Sequence, residues 1–338
     1  NGHGYKELFS KPYHRGEGTF FGKKITIFSI HHHLAHSAGA YFTSPFLDAS
    51  ILTADGGGWA KNFSFATAKN GYLHFHDSIW TNPLGKLWDI FPKFYGITKP
   101  GSLMAIGGYG KKDLEIHSRL FNILAKNPSS TLGDFKFTIN DTHYENGDVN
   151  KYLNPKNKND SDLAHSLQVL TDGIFTDWFV KAINYGFNNI CFSGGLALNC
   201  ISNSRATINS GATNIHVPPN PNDAGLAMGA ALAVHFYILN NQYDPTFFSP
   251  YNGVGYNNSD CLKAIEYLKQ KHLEIKVYKA TNENIVNLLS NDNIVARFFD
   301  KSESGPRALG HRSFIAKPNI KSLREKMNRV KKREWYRP

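Results

Sequence analysis

The chain has 338 residues, of which 41% are hydrophobic and 19% are charged, a composition typical of a globular protein with one large or two smaller domains. No apolar run reaches the roughly 18 residues of a membrane-spanning helix, and there is no signal-peptide pattern. The nearest is Ala224–Leu239, which is rich in Ala and Gly and is predicted to be a buried helix. The three cysteines have no CxxC spacing, which indicates a reduced compartment. We therefore expect a cytoplasmic protein that does not bind a membrane.

The net charge of +11 is concentrated near one end of the chain. Residues 297–338 hold 13 Lys or Arg against four Asp or Glu, which leaves the rest of the chain close to neutral. A local positive cluster indicates one anionic partner at one site rather than a surface that coats a nucleic acid. We therefore do not expect a nucleic-acid partner.

Short apolar runs and turn signals predict the elements of the first part of the chain. Lys24–Ile30 and Ser50–Gly58 are predicted to hold buried strands, and His32–Tyr41 between them a helix rich in small residues. A hairpin is expected at Lys61–Phe75, with Asn-Gly at its turn. The polar stretch Asn127–Asp160 is expected to be a loop-rich insertion.

Beyond Asp162, predicted helices and strands alternate regularly. A helix with apolar residues every three or four positions is followed by the strand Asn188–Gly195, a helix, the strand Asn214–Pro219 and a further helix. This alternation predicts a βαβ arrangement, and hence a mostly parallel sheet covered by helices.

A second, smaller α/β unit is expected near the end of the chain. The stretch Asn240–Asn258 is rich in Asn, Tyr, Pro and Gly and indicates a linker. The pattern after it predicts two helices and the strands Glu274–Ala280 and Asn293–Phe299. We expect residues 1–245 to form the first domain and residues 246–338 the second.

Four histidines lie within six positions of the segment SIHHHLAHSAGAYF. His32 and His36 are four residues apart and would project from one face of a helix, which is the spacing with which two histidines hold one divalent metal. The alternative is a polar helix start with solvated histidines. Because the pair follows a buried strand, where the sites of α/β sheets gather, the metal interpretation is favoured. His31 and His33 would point elsewhere.

Three further segments place polar or glycine residues after predicted strands. In TADGGG, Asp55 precedes glycines that would let the backbone approach a phosphate. In FSGGLALN, Gly194 and Gly195 precede a helix whose first N–H groups could bind an anion. In PNDAGLAMGAA, Asp223 could join two histidines in a His-His-carboxylate metal site. The structural alternatives are tight turns and, for Asp223, a helix N-cap.

Basic residues cluster in the last two segments, KSESGPRALGHRS and NRVKKREWYRP. Arg307 and Arg312 lie in a loop shaped by Gly and Pro, and Lys331, Arg333 and Arg337 follow within seven residues of one another. Converging Arg and Lys side chains suit the binding of a phosphate or carboxylate. The alternative is a solvated basic tail, against which the neighbouring Trp and Tyr argue.

Together these segments resemble the O-carbamoyltransferase family of the nodulation, cephamycin and tobramycin pathways. Six family motifs are matched in order by HHLAHSAGAYFTSPF, ADGGG, GGLALN, DAGLAMGAA, ESGPRALGHRS and NRVKKREWYRP. Compared with the family, the N-terminal part of the first domain and the C-terminal part of the second are missing. We therefore expect this piece to be an incomplete catalyst.

The resemblance implies an actin/hexokinase/Hsp70-like (ribonuclease H-like) α/β domain related to the tRNA threonylcarbamoyl transferase. The beginning of an α/β domain similar to threonylcarbamoyl-AMP synthase would follow. The second domain would join carbamoyl phosphate and ATP into carbamoyl-adenylate. The first would transfer the carbamoyl group to a hydroxyl of a small-molecule or sugar acceptor. The implied cofactors are a divalent metal, with Fe²⁺ expected, and ATP with Mg²⁺.

Carried over by motif, the resemblance also implies three sets of site residues. The metal ligands would be His32, His36, Asp223 and Asp55. The nucleotide would contact Gly56, Gly57, Gly194, Gly195 and Asn199. Carbamoyl phosphate would contact Arg307, Arg312, Lys331 and Arg337. We add the hypothesis that His33 or His31, which are not needed as ligands, takes the proton from the acceptor hydroxyl.

Other functional classes stay open on the sequence alone. A tRNA threonylcarbamoyl transferase shares the fold and the HxxxH spacing, although the clustering of charge beside GPRALG argues against it. A sugar-kinase-like ATPase would need no histidine pair, and a degenerate binding protein would carry the motifs without catalysis. The motifs indicate neither the acceptor nor the oligomeric state.

Overall fold

The computed structural model describes residues 12–56, 63–76, 84–94, 97, 100–126, 136–139, 142–145, 158–245, 248–271, 274, 276–278, 280–318 and 320–337. The chain separates into two compact units, Asn1–Phe248 and Ser249–Pro338. The boundary expected from the sequence lies a few residues before this division. Among the described residues, no helix is both long and apolar enough to cross a bilayer.

The strands of the first unit form one central sheet and two separate hairpins. They are β1 (Tyr13–Phe20), β2 (Lys23–Ile30), β3 (Asp48–Ala54), β4 (Phe63–Lys69), β5 (Tyr72–Phe75), β6 (Lys136–Ile139), β7 (Thr142–Glu145), β8 (Asn189–Ser193) and β9 (Asn214–His216). The pairs β1–β2 and β6–β7 are antiparallel two-stranded hairpins, and the other five strands form a mixed sheet.

The central sheet has the order β5-β4-β3-β8-β9. Strands β3, β8 and β9 are parallel, and β4 is antiparallel to both of its neighbours. Counted within the sheet, this is the order 3-2-1-4-5 with the second strand reversed, which is the arrangement of ribonuclease H-like folds. The α/β class and the ribonuclease H-like topology expected from the sequence are therefore confirmed.

The register of β3 and β8 brings two predicted site segments to one edge of the sheet. Thr53 pairs with Ser193, and β3 ends directly before Asp55 while β8 ends directly before Gly194. The carboxyl ends of parallel strands meet at the same edge, which is where ligands bind in open α/β sheets.

Helices cover both faces of the central sheet. The helices described in this unit are α1 (His32–Phe42), α2 (Leu84–Phe94), α3 (Ser102–Gly107), α4 (Leu114–Lys126), α5 (Lys158–Asn184), α6 (Cys200–Ser210) and α7 (Leu226–Leu232). On one face, Leu34 of α1 belongs to a core that includes Ile51 of β3. On the other face, Phe192 of β8 packs edge-to-face against Phe175 and Phe179 of α5. Strand β3 is buried on both faces, and its buried hydroxyl residues Ser50 and Thr53 are both hydrogen-bonded.

Local predictions for this unit are confirmed where one sequence signal determines the structure. The predicted helix at His32–Tyr41 forms and extends by one residue. The predicted hairpin turn has positive φ angles at Asn70 and Gly71, as a two-residue turn of this kind requires. Most of the expected insertion at Asn127–Asp160 lies outside the described residues, apart from β6, β7 and the start of α5.

The expected burial of the strand at Lys24–Ile30 is wrong. The strand forms as β2, but Ile25 and Ile27 are about two-fifths exposed. The physical reason is that β2 pairs with β1 alone and does not join the central sheet. A run of β-branched residues predicts the strand but not the neighbour that would cover it.

The second unit contains α8 (Asn258–Gln270), α9 (Asn282–Ser290), α10 (Lys321–Val330) and an antiparallel pair, β10 (Val295–Phe298) with β11 (Arg312–Ile315). Capping boxes begin both α8 and α9. The strand expected at Asn293–Phe299 is confirmed. The strand expected at Glu274–Ala280 is wrong, because the residues described there do not pair with a neighbouring strand.

Candidate functional site

Two histidines and two carboxylates converge at the carboxyl edge of the central sheet. His32 and His36 lie on one face of α1, Asp55 follows β3, and Asp223 lies in the 3₁₀ turn that precedes α7. His32 Nε2 is 3.1 Å from Asp55 Oδ2 and 3.7 Å from Asp223 Oδ1. His36 Nε2 is 3.6 Å and 3.4 Å from the same two oxygens. All four ligand atoms lie within 4.8 Å of one another, so one ion could contact all four.

The environment of this group fits a divalent metal ion. His36 Nε2 is buried and has no hydrogen-bond partner among the described residues, which is costly unless an ion or a water contacts it. The other ring nitrogen of His36 lies 3.2 Å from Ser193 Oγ, which orients the imidazole. Asp55 Oδ1 accepts hydrogen bonds from the N–H groups of Gly56 and Gly195, so that Oδ2 faces the histidines. Two imidazoles and two carboxylates suit a divalent first-row transition metal.

The two carboxylates of the group differ in acid strength. Burial alone would raise the pKa of Asp55, but its contacts with His32 and His36 and the Gly56 N–H outweigh burial and hold the pKa well below its ordinary value. The pKa of Asp223 is raised by desolvation and by the nearby charge of Asp55. Two carboxylates this close repel each other unless a positive charge lies between them.

The other two histidines of the segment are placed differently. His31 is the N-cap of α1, and its Nδ1 accepts a hydrogen bond from the His33 N–H at 3.2 Å. A neutral His31 therefore carries its proton on Nε2, which can donate a hydrogen bond but cannot accept a proton. His33 is buried, and its Nδ1 lies 2.6 Å from Thr53 Oγ1 and 3.2 Å from Ser64 Oγ. These hydroxyls fix the His33 ring against β3 and β4.

The glycines predicted to contact nucleotide surround Asp55. The Gly56 and Gly195 N–H groups both donate to Asp55 Oδ1, at 2.8 Å and 3.1 Å. The Gly194 N–H donates to the backbone carbonyl of Pro221 at 2.7 Å. Gly57 lies outside the described residues. In this structure the N–H groups of the strand-end turns therefore bind the carboxylate of Asp55 and the backbone, and their contact with nucleotide stays a prediction.

Asn199 belongs to a buried polar network between α5 and α6. Its side chain caps α6 by accepting a hydrogen bond from the Ser202 N–H at 3.1 Å, and its amide donates to Gln168 Oε1 at 3.2 Å. Asp172 completes the network by accepting from Gln168 and Ser202 and by pairing with Arg205. The structure thus gives Asn199 a capping role, and nucleotide binding by this residue stays a prediction.

In the second unit, Glu303 organises the loop of the GPRALG segment. Its Oε1 accepts hydrogen bonds from the backbone N–H groups of Leu309, His311 and Arg312, at 2.9, 2.7 and 3.0 Å. Desolvation would raise the pKa of Glu303, but these bonds outweigh it and lower the pKa to about 2. One carboxylate therefore fixes the shape of the loop that carries the predicted anion-binding arginines.

Arg312, predicted to contact carbamoyl phosphate, is engaged within the second unit. Its guanidinium donates to the backbone carbonyls of Phe299 and Asp300, both at 2.7 Å, and lies 3.6 Å from the ring centre of Phe298. These contacts join the ends of β10 and β11. They give Arg312 a structural role, and contact with a ligand stays a prediction.

Four other basic residues of the second unit act on one another electrostatically. The pKa of Arg333 is lowered by burial and by the charges of Arg337 and Arg307. The pKa of Lys331 is lowered by burial and by the charge of Arg333. Arg337 also lies 3.5 Å from Glu334, the acidic neighbour that partly balances the group. Positive charges that lie this close together favour an anion among them.

The sequence matches two family models, each over a separate part of the chain. Residues 18–232 match the model described as "Carbamoyltransferase N-terminus", and residues 286–338 match "Carbamoyltransferase C-terminus". The chain belongs to the carbamoyltransferase family. The family resemblance drawn from the six motifs is therefore confirmed.

Relatives of this chain include both uncharacterized and nodulation proteins. It is 28% identical to an uncharacterized protein of Synechocystis sp. (91% of this chain, 53% of the relative) and 30% identical to one of Methanocaldococcus jannaschii (94% and 61%). It is 27% identical to the nodulation protein NolNO of Sinorhizobium fredii (91% and 46%). The chain thus spans about half the length of the curated relatives it matches. The crystal structure of T. kodakarensis HypF is similar at 14% identity and a TM-score of 0.34, covering 62% of this chain and 36% of that one.

Sequence reasoning missed one residue that orients the metal group of the first unit and two residues of the basic segments in the second unit. Ser193, which orients His36, is the last residue of β8 and could have been found from the parallel pairing of β3 with β8. Glu303 precedes a Gly-Pro turn, a position from which an acid can accept backbone N–H groups. Arg333 was recognised as part of a basic segment but was not assigned to the anion site.

Proposed function

We propose that the full-length protein is an ATP-dependent O-carbamoyltransferase that acts on a hydroxyl of a small-molecule or sugar acceptor. The observation that carries this proposal is the group His32, His36, Asp55 and Asp223 in a chain of the carbamoyltransferase family. Carbamoyl phosphate, ATP and one water would give carbamoyl-adenylate, pyrophosphate and inorganic phosphate. The acceptor hydroxyl would then displace AMP and receive the carbamoyl group.

The second unit would bind carbamoyl phosphate. Arg307, Lys331 and Arg337, with Arg333 beside them, supply positive charge that offsets the charge of the phosphate and of the developing transition state. Because the Arg312 guanidinium is held by backbone carbonyls, we propose that it shapes the loop that carries Arg307. Its substitution should therefore lower stability as well as binding.

The first unit would carry out the transfer. Its four-residue group would hold a divalent ion, for which we propose Fe²⁺, and such an ion supplies Lewis-acid polarisation of a carbonyl or phosphate oxygen. The turns at Gly56, Gly57, Gly194 and Gly195 would lie beside the phosphates of ATP-Mg²⁺ or of the adenylate. His33 is the better candidate to take the proton from the acceptor hydroxyl, because His31 Nδ1 already accepts a backbone N–H.

Metal analysis tests the ion-binding part of the proposal. The wild-type chain should retain a stoichiometric divalent ion after purification with added Fe²⁺ under anaerobic conditions, whereas His32→Ala and His36→Ala should not. His235→Ala is a matched control, since it removes an exposed histidine outside the group. Retention of the ion by both ligand variants would contradict the assignment.

Release of pyrophosphate tests the reaction itself. The full-length protein should release pyrophosphate from ATP only when carbamoyl phosphate is present. Arg307→Ala should lower the rate of this release by at least about tenfold. Lys317→Ala is the matched control, because it removes one positive charge from the same unit at a residue paired with Asp292. If Lys317→Ala impaired the reaction as much as Arg307→Ala, the anion site would be misassigned.

The base is tested separately from adenylate formation. His33→Ala should slow transfer from preformed carbamoyl-adenylate by about 10²-fold or more, and His31→Ala should slow it less. Full transfer by both variants would refute the role of either histidine. A strong, salt-dependent affinity for tRNA without carbamoyl-phosphate-dependent pyrophosphate release would instead favour a tRNA-modifying enzyme.

A further inference from the structure

Asp223 differs from the rest of the proposed metal group in how its position is fixed. Asp55 is held by two backbone N–H groups, and His36 is oriented by the Ser193 hydroxyl. The side chain of Asp223 is 66% exposed, and the residue lies in the three-residue turn Asp223–Gly225, directly before α7. Its place in the group therefore depends mainly on where α7 lies against α1.

Helices α1 and α7 meet at Gly229, where any side chain would force the two helices apart. A Cβ atom at Gly229 of α7 would lie 2.0 Å from the carbonyl oxygen of Ala35, which stands between His32 and His36 in α1. Real Cβ atoms essentially never come within 3.0 Å of another heavy atom, so a side chain at this position would displace α7 by about 1 Å or more.

The same interface contains a second glycine with a different environment. A Cβ atom at Gly39 of α1 would lie 3.5 Å from the Cα of Gly229, which is an ordinary contact. The close approach is therefore a property of Gly229 alone in this pair, and the chain offers a matched control within one interface.

We propose that Gly229 is a positioning residue of the metal site. Its lack of a side chain sets the spacing of α1 and α7, and this spacing places Asp223 Oδ1 at 3.4 Å from His36 Nε2 and 3.7 Å from His32 Nε2. Sites of this kind require their groups to be held within about 0.5 Å of the productive geometry. The inference rests on the proposed metal group. A displacement of α7 would leave the two histidines and Asp55 in place and would withdraw Asp223.

Titration of the metal-free 338-residue chain with Co²⁺, followed by calorimetry and visible absorption, tests this inference. Gly229→Ala should weaken Co²⁺ binding by about 10- to 100-fold and change the ligand-field spectrum toward fewer protein ligands. Gly39→Ala should bind Co²⁺ within about twofold of wild type, because its Cβ has room. Equal Co²⁺ affinities for Gly229→Ala and wild type, with both folded by circular dichroism, would overturn the inference.

A longer carboxylate separates misplacement from a general loss of folding. Asp223→Glu adds one methylene and should weaken Co²⁺ binding in the wild-type background, where the shorter arm already fits. In the Gly229→Ala background it should restore at least about fivefold of the lost affinity, because the longer arm spans the displacement. No gain from Asp223→Glu in that background would overturn the positioning role. A wild-type chain that binds no Co²⁺ would instead overturn the metal group itself, an outcome distinguishable from the other two.

Discussion

Gly194 offers the clearest quantitative test of how the site edge of the sheet is built. It follows β8 with φ 95° and ψ 164°, a conformation essentially restricted to glycine, and forcing another residue into it costs about 1–3 kcal/mol. A Cβ at this position would also lie 2.0 Å from the carbonyl oxygen of Ala54 at the end of β3. Overpacking against backbone costs about 1–3 kcal/mol more. We therefore expect Gly194→Ala to lower the free energy of unfolding by about 4 kcal/mol.

Gly211→Ala separates the two contributions. Gly211 also has positive φ, at 80°, but a Cβ there would meet nothing within 4 Å. Its replacement should therefore cost only about 1 kcal/mol, the conformational part. Urea unfolding of both variants, followed by far-UV circular dichroism, measures the difference of about 3 kcal/mol. We assign about 2 kcal/mol of it to the contact with β3 and about 1 kcal/mol to the greater strain of the Gly194 conformation. Equal destabilisation by the two variants would refute the assignment.

Three further predictions address the cap, the loop and the thiols. His31→Ala should lower the free energy of unfolding of the first unit by about 1 kcal/mol. His31→Asp should preserve this free energy, because a carboxylate is a good N-cap. The folded-state pKa of Glu303 is about 2, below the ordinary 4.5. The stabilisation of the GPRALG loop by Glu303 is therefore present above pH 4.5 and is lost as the pH falls through about 2. Amide exchange of the loop should become faster over this pH range, and Glu303→Gln should abolish that pH dependence. Burial raises the pKa of Cys191 to about 12, so a thiol reagent at pH 8 should modify Cys200 and Cys261 in the native chain and all three cysteines only after denaturation.

Three members of the four-residue group at the sheet edge could be predicted from local signals in the sequence, and Asp55 was added as a ligand by the family resemblance. The i, i+4 spacing places His32 and His36 on one helical face, and Asp55 and Asp223 follow segments that end at the same edge of a parallel sheet. The hairpin turn could also be predicted from local sequence, since the dipeptide Asn-Gly favours a turn with two positive φ angles. None of these inferences required knowledge of a contact between distant side chains.

The roles of individual residues within a motif could not be read in the same way. The Gly194-Gly195 pair was predicted as an anion site, but the anion bound by the Gly195 N–H in this structure is the carboxylate of Asp55, 140 positions away. A glycine pair after a strand satisfies phosphate binding and close strand packing equally well. Arg312 shows the same ambiguity, because a guanidinium can donate hydrogen bonds either to backbone carbonyls or to a ligand.

Asp55 shows why fold and site are difficult to separate in this protein. Its Oδ1 accepts N–H groups from its own turn and from Gly195 at the end of β8, and its Oδ2 faces His32 and His36. The carboxylate that would hold a metal therefore also ties β3 to the turn after β8. A change that loosens the β3–β8 edge should displace the Asp55 oxygens, and a change in charge at Asp55 should loosen that edge. Metal affinity and stability should accordingly decline together for substitutions at Asp55.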